Sequence, residues 1–172
     1  MPDTPPRVAG FDYRGLRRYF VTVCTASRQR WLADPRVAEE LTTQIPLFFE
    51  ARGLAVLAYC LMPDHVHLLL EGATDEADLV RSVHAWKQST AFAWKQRTGT
   101  RLWQKGFHDR VLRNGDDSRA VVRYVLENPV RARLCRNAAE YPWMGSSRYE
   151  PADLLSHAGE WTPSWRSRRG AA

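Results

Sequence analysis

Two of the chain's five histidines stand one residue apart in an apolar run, Pro63-Asp64-His65-Val66-His67-Leu68-Leu69-Leu70-Glu71. If that run is a β-strand, successive side chains point to opposite faces. His65 and His67 then share one face, and Val66, Leu68 and Leu70 the other. A core strand gains nothing from two imidazoles, whereas two ring nitrogens side by side make half of a metal site. Hydrogen-bonded polar groups and a Zn²⁺ scaffold are the other uses of such a pair, and Asp64 is placed to orient an imidazole from outside. A second segment, RYVLENPVRARL, puts Tyr124 and Asn128 four residues apart, on one face of a helix, with Glu127 alongside.

Together these residues suit cleavage of a phosphodiester by a tyrosine hydroxyl. Two histidines and one oxygen ligand would hold a divalent cation with open positions for a phosphate oxygen. Tyr124 would attack phosphorus and stay attached as a phosphotyrosine. A free phenol has a pKa near 10, so nearby positive charge is needed to favour its anion at neutral pH. A phosphotyrosine link also conserves the energy of the broken ester, so joining can follow cutting without ATP.

The charge pattern fits a polyanionic partner. The net charge is +6, and residues 101–136 carry nine basic residues against four acidic ones. Arg81, Lys87, Lys95, Arg97, Lys105, Arg110, Arg113, Arg123 and Arg131 are candidate DNA contacts, to phosphate rather than to bases. Trp86, Trp94, Trp103 and Phe107 suit either base stacking or core packing, and Trp86 lies on the apolar stripe of its helix. The three cysteines are widely spaced without a CxxC, which fits reduced thiols in a cytoplasmic protein. The longest apolar run is far short of the roughly 20 residues that span a bilayer, so no membrane partner is expected. MPDTPPRVAG lacks the apolar segment of a signal peptide and reads as a flexible leader.

The elements that must position these residues follow from pattern. Residues 18–26 (RYFVTVCTA) read as a strand. Residues 34–51 show helical spacing, with Pro35 suited to the first turn and Pro46 predicting a kink or break. Residues 54–61 and 65–71 are strands joined tightly enough to pair as an antiparallel hairpin. A helix carries Leu79, Val83, Trp86, Thr90 and Ala93 and stops near Gly99. Residues 102–113 look strand-like, and Asn114-Gly115-Asp116 makes a turn. A helix capped by Asp117 or Ser118 then runs to Asn128 before Pro129. The order β-α-β-β-α-β plus a further helix is α+β and ferredoxin-like: an antiparallel sheet with helices on one face, an added C-terminal catalytic helix and a basic tail. The expected organisation is a leader over 1–15, one domain over 16–150 and a tail over 151–172.

In their order and spacing, LMPDHVHLLLE, LWQKGFHDRVLR, YVLENPVRARL and YPWMGSSRYE resemble the REP-associated tyrosine transposases, bacterial members of the single-tyrosine HUH nucleases. The resemblance covers roughly residues 16–150. It implies a ferredoxin-like fold, His65 and His67 as metal ligands, Tyr124 as nucleophile and Asn128 as the third ligand, with Glu127 in reserve. It also implies Mg²⁺ or Mn²⁺, a single-stranded hairpin of repetitive extragenic palindromes as substrate, and a nucleoid-associated enzyme in the cytoplasm. Monomeric and homodimeric forms both fit. A non-catalytic nucleic-acid-binding module of the same fold is the rival reading, since basic charge alone serves it equally. A hydrolase using water instead of tyrosine is a third.

Overall fold

The computed structural model describes residues 10–112, 118–150 and 153–154. The elements run β1 (Arg18–Cys24), α1 (Pro35–Glu50), β2 (Leu54–Met62), β3 (His65–Gly72), α2 (Leu79–Thr98), β4 (His108–Leu112), α3 (Ser118–Arg131) and β5 (Met144–Gly145). The sheet order is β4-β1-β3-β2-β5, and every pairing is antiparallel. The first four strands have the ferredoxin-like arrangement: α1 carries the chain from β1 past β3 to β2, and α2 from β3 past β1 to β4. The fifth strand extends the β2 edge.

Each element starts where its residues dictate. Asp34 accepts the Arg36 amide and Pro35 fills the first helical position, so α1 begins there. Asp78 accepts the Arg81 amide at the start of α2, and Gly99 at φ 69° ends it. Met62 pairs with His65, leaving Pro63-Asp64 as a two-residue turn. That turn is pinned from outside: Thr25 N–H donates to the Asp64 carbonyl at 3.0 Å and Leu32 N–H to the Pro63 carbonyl at 3.0 Å.

Two cores flank the sheet. On one face, Tyr19, Val21, Val23, Val66, Leu68 and Leu70 meet Leu41, Ile45 and Phe49 of α1 and Leu79, Val83 and Trp86 of α2. On the other, Ala58, Cys60, Met62 and Leu69 meet Val121 and Val125 of α3. The expectation of helices on one face therefore holds for α1 and α2, while the added helix α3 covers the opposite face. A bulge between Val56 and Ala58 inserts Leu57 into β2. Leu57 and Ala58 consequently fall on the same side, and the alternation resumes with Tyr59 and Leu61 in the first core.

Three local expectations are corrected. Pro46 does not break α1, because Ala38, Leu41, Ile45 and Phe49 are buried on both sides of it and hold the stripe continuous. Pro129 likewise lies inside α3, buried, rather than beyond its end. The strand expected over 102–113 is regular only from His108. Residues 102–107 form a loop that buries Leu102, Trp103 and Phe107 in the first core. Those two aromatics, with Trp86 and Trp94, are core residues rather than a base-stacking platform. All three cysteines are free thiols. Arg113, the turn at 114–116, His157, Trp161, Trp165 and the basic tail lie outside the described residues.

Candidate active site

The register fixes which side chains share the α3 face. Thr22 stands opposite His67 on one side and His108 on the other, Cys24 opposite His65, and Phe20 opposite both Leu69 and Arg110. Side chains directly opposite across antiparallel strands lie on one face. His108, Thr22 and His67 therefore form one row of that face, and Arg110, Phe20 and Leu69 the next.

The imidazoles of His65 and His67 converge. Their Nε2 atoms are 3.1 Å apart, and each ring is held from behind at Nδ1. His65 Nδ1 lies 2.6 Å from Asp64 Oδ1, and His67 Nδ1 lies 2.9 Å from Thr22 Oγ1. A carboxylate only accepts, so His65 Nδ1 carries the hydrogen and its Nε2 presents a lone pair. Asp64 is itself held by Arg28 Nε at 2.9 Å, and Arg28 also donates to Cys24 Sγ. A hydroxyl can donate or accept, so Thr22 supports either tautomer of His67. Without a cation, His67 Nε2–H can donate to His65. With one, both Nε2 lone pairs are available.

Burial keeps both rings neutral. It is the main cause that lowers the pKa of His67 to about 3, aided by the charges of Arg131 and Arg28 and by the repulsion between the two imidazoles were both protonated. Burial also lowers that of His65, against the opposing pull of its bond to Asp64. Neutral imidazole is the form that binds metal. The spacing fits as well: Nε2 atoms 3.1 Å apart are close enough for both to hold one cation. Among the described residues, no third histidine, cysteine or carboxylate joins the pair to complete a metal-holding group.

Tyr124 stands against His67. α3 crosses β2 and β3, and its Tyr124 ring meets the His67 ring at 5.8 Å and the Phe20 ring at 5.7 Å, both edge-on. Phe20 in turn stacks on His67 at 5.3 Å, so Phe20 wedges the nucleophile candidate against the ligand candidate. The Arg131 guanidinium lies 4.3 Å over the Tyr124 ring and donates to the Tyr124 carbonyl at 2.6 Å. It brings to that ring the sign of charge a phosphate requires.

The two oxygen-ligand candidates are otherwise engaged. Asn128 remains helical despite preceding Pro129, and its Nδ2 turns back to the Tyr124 carbonyl at 2.8 Å and the Val125 carbonyl at 3.5 Å. Proline has no N–H for the Val125 carbonyl, and the Asn128 carboxamide partly replaces it. Glu127 is paired with Arg123 at 2.6 Å. These bonds engage Asn128 Nδ2 and Glu127 Oε1, whereas the atoms that would bind a cation are Asn128 Oδ1 or a Glu127 carboxylate oxygen.

The basic candidates divide among three places. Arg110, Arg123 and Arg131 lie on the histidine face or on its covering helix. Arg81, Lys95 and Arg97 lie on α2, across the sheet, and Arg97 is paired with Glu40 of α1 at 2.5 Å. Lys87 is corrected outright. It is buried, and its ammonium donates to the carbonyls of Gln104, at 2.8 Å, and Gly106. Lys105 is exposed in the loop that Lys87 anchors. Thr22, Arg28 and Phe20 were not recognisable as site residues. Thr22 and Phe20 share the phase of a half-buried strand, but only the register shows that they face His67.

Residues 16–128 match the family model described as "Transposase IS200 like". A Haemophilus influenzae protein provisionally described as a REP-associated tyrosine transposase is 24% identical over 148 residues, 79% of this chain and 83% of that protein. A REP-associated tyrosine transposase solved bound to a REP hairpin shares the fold, with a TM-score of 0.64 over 81% of this chain and 82% of its own, at 19% identity. No helix among the described residues is long and apolar enough to cross a membrane. Since the family model takes in well over half the sequence, from before β1 into α3, the chain belongs to the IS200-like transposases.

Proposed function

We propose that this chain is a metal-dependent single-strand DNA endonuclease and strand transferase that works through a 5′-phosphotyrosine on Tyr124. The observation that carries the reading is the meeting of three rings: two imidazoles whose Nε2 atoms converge at 3.1 Å, and the Tyr124 ring 5.8 Å from one of them. Nucleic-acid binding by itself would require none of the three.

His65 and His67 would hold Mg²⁺ or Mn²⁺, with the Asn128 carboxamide oxygen, or Glu127 in its place, as the oxygen ligand. The cation would polarise the scissile phosphate and offset its charge. The chain's own residues do the rest. Asp64 and Thr22 fix the imidazoles, Arg131 supplies positive charge beside Tyr124, and Phe20 limits how far the phenol ring can turn. The phenol oxygen forms a bond to phosphorus and loses its proton, while the 3′ oxygen departs and gains one. The reverse step with another 3′ hydroxyl joins strands.

Hairpins of the REP type are the proposed substrate, since a structural relative was solved with one bound. The test is nicking of an end-labelled hairpin with a single-stranded flank. Cleavage is expected with Mg²⁺ or Mn²⁺, and its loss with chelator or in Tyr124→Phe. Metal-dependent cleavage that survives Tyr124→Phe would overturn the tyrosine mechanism and point to water. Binding without cleavage under any metal would reduce the chain to a hairpin-binding module.

A further inference from the structure

A groove of about 540 Å³ opens where β1 ends, between residues 26–31 and residues 101–105. Its lining has an unusual composition: two carboxamides (Gln29 and Gln104), the indole of Trp31, two cations (Arg101 and Lys105) and no carboxylate. Each group suits a different part of one ligand. A carboxamide presents a donor and an acceptor side by side, matching the edge of a nucleobase. Indole offers a π-face for stacking, and the cations suit phosphates. An acidic peptide would use the cations but offers no planar heterocycle to two carboxamides and an indole.

The walls are braced from several directions. Ala26 N–H donates to the Leu102 carbonyl at 2.8 Å and Gln104 N–H to the Cys24 carbonyl at 2.9 Å, which locks the loop to the strand end. Buried Lys87 holds the Gln104 and Gly106 carbonyls from beneath. Trp31 leans on Trp94 with ring centroids 5.2 Å apart. Ser27 and Arg28 adopt left-handed φ values of 52° and 55°, uncommon for residues other than glycine. Such conformations persist where surrounding bonds impose them. Thr25 Oγ1–H supplies one, shared between the carbonyls of Gln29 at 2.7 Å and Asp64 at 3.0 Å.

A chain of contacts links the groove wall to the histidine pair. Arg28, between the groove residues Ser27 and Gln29, binds Asp64, and Asp64 binds His65. We propose that the groove receives one unpaired nucleobase of the substrate strand, with Gln29 and Gln104 reading its edge and Arg101 and Lys105 on the flanking phosphates. The inference rests on the single-strand DNA reading above and adds where base selection occurs.

The probe is a DNA hairpin carrying a single-stranded flank, each flank position varied in turn through the four bases, with binding to the full chain followed by fluorescence anisotropy. The wild-type protein is expected to prefer one base at one flank position by about tenfold. Gln29→Ala and Gln104→Ala should each cut that ratio to about twofold or less and leave binding of a blunt hairpin unchanged. Lys105→Ala should weaken all sequences alike and lower the salt slope by about one. Gln29 is exposed, so its variant remains informative should Gln104→Ala unfold; thermal melting checks both. Undiminished preference in the glutamine variants, or no base preference at any flank position, overturns the groove assignment while leaving the nuclease reading intact. Failure of the wild-type chain to bind either flanked or blunt hairpins overturns both.

Discussion

The histidine pair offers a perturbation whose size follows from its bonds. Asp64→Asn keeps a side chain of the same shape but removes the negative charge 2.6 Å from His65 Nδ1. A charge-assisted hydrogen bond contributes about 1.5–3 kcal/mol and a neutral one about 1 kcal/mol, so the change costs on the order of 1–2 kcal/mol. Not all of that difference is felt at Nε2, but supporting residues of this kind commonly alter metal affinity about 10- to 100-fold. The assay is titration with Mn²⁺, the free ion being followed by electron paramagnetic resonance. Asp64→Asn should weaken binding about tenfold. Thr22→Val, which removes the neutral bond at His67 and keeps the shape, should weaken it about fivefold. Thr22→Ser should restore it, and His65→Ala and His67→Ala should abolish it. If the histidine variants lose the ion while Asp64→Asn and Thr22→Val bind it like the wild type, the claim that these two residues set the imidazoles is refuted.

Three further outcomes are expected. Folded His67 stays neutral down to about pH 3, whereas the unfolded chain takes up that proton near pH 6.5. The unfolded state thus binds more protons in between, so stability falls as pH drops from about 6.5 toward 3. Urea midpoints across that window should flatten in His67→Gln. Lys87→Met leaves two loop carbonyls without their buried donor and should destabilise the fold by about 2–4 kcal/mol, against almost nothing for an exposed lysine such as Lys95; denaturant unfolding distinguishes them. Tyr19 is fully buried, and its hydroxyl lacks a hydrogen-bond partner among the described residues, so Tyr19→Phe should raise the melting temperature by a few degrees, corresponding to about 1 kcal/mol.

The part of the fold written in periodicity was legible. The alternation through His65–Gly72 places the imidazoles on one side and Val66, Leu68 and Leu70 on the other, as observed. The spacing of Tyr124 on its helix was equally plain. What escaped was set by partners far along the chain. Nothing local identifies Thr22 as the support of His67, because that depends on a register joining residues 45 positions apart. Leu57 reads as one more strand residue, although it forms the bulge that changes the phase of β2. Neither Pro46 nor Pro129 ends its helix, because buried side chains on either side outweighed a lost backbone bond, and at Pro129 a carboxamide partly replaced it. Lys87 looked like a surface cation because the loop carbonyls that capture it come from residues 104 and 106.

Electrostatics divides the basic surplus in the same way. Positive charge was visible as composition, but its usefulness depends on the layer it occupies. Arg110, Arg123 and Arg131 share the side of the sheet that holds the histidines, whereas Arg81, Lys95 and Arg97 lie on α2 across the sheet. Charge removed from the first group should weaken hairpin binding more than charge removed from α2.

The most direct test of the central claim is to find where DNA becomes attached. After incubation with a flanked hairpin and Mn²⁺, nuclease trimming and tryptic digestion, mass spectrometry should find the nucleotide remnant on YVLENPVR, the peptide released by cleavage after Arg123 and Arg131. Fragmentation should assign it to Tyr124, and neither His65→Ala nor His67→Ala should yield it. A remnant on any other residue, or one that forms undiminished without the histidines, would contradict the account.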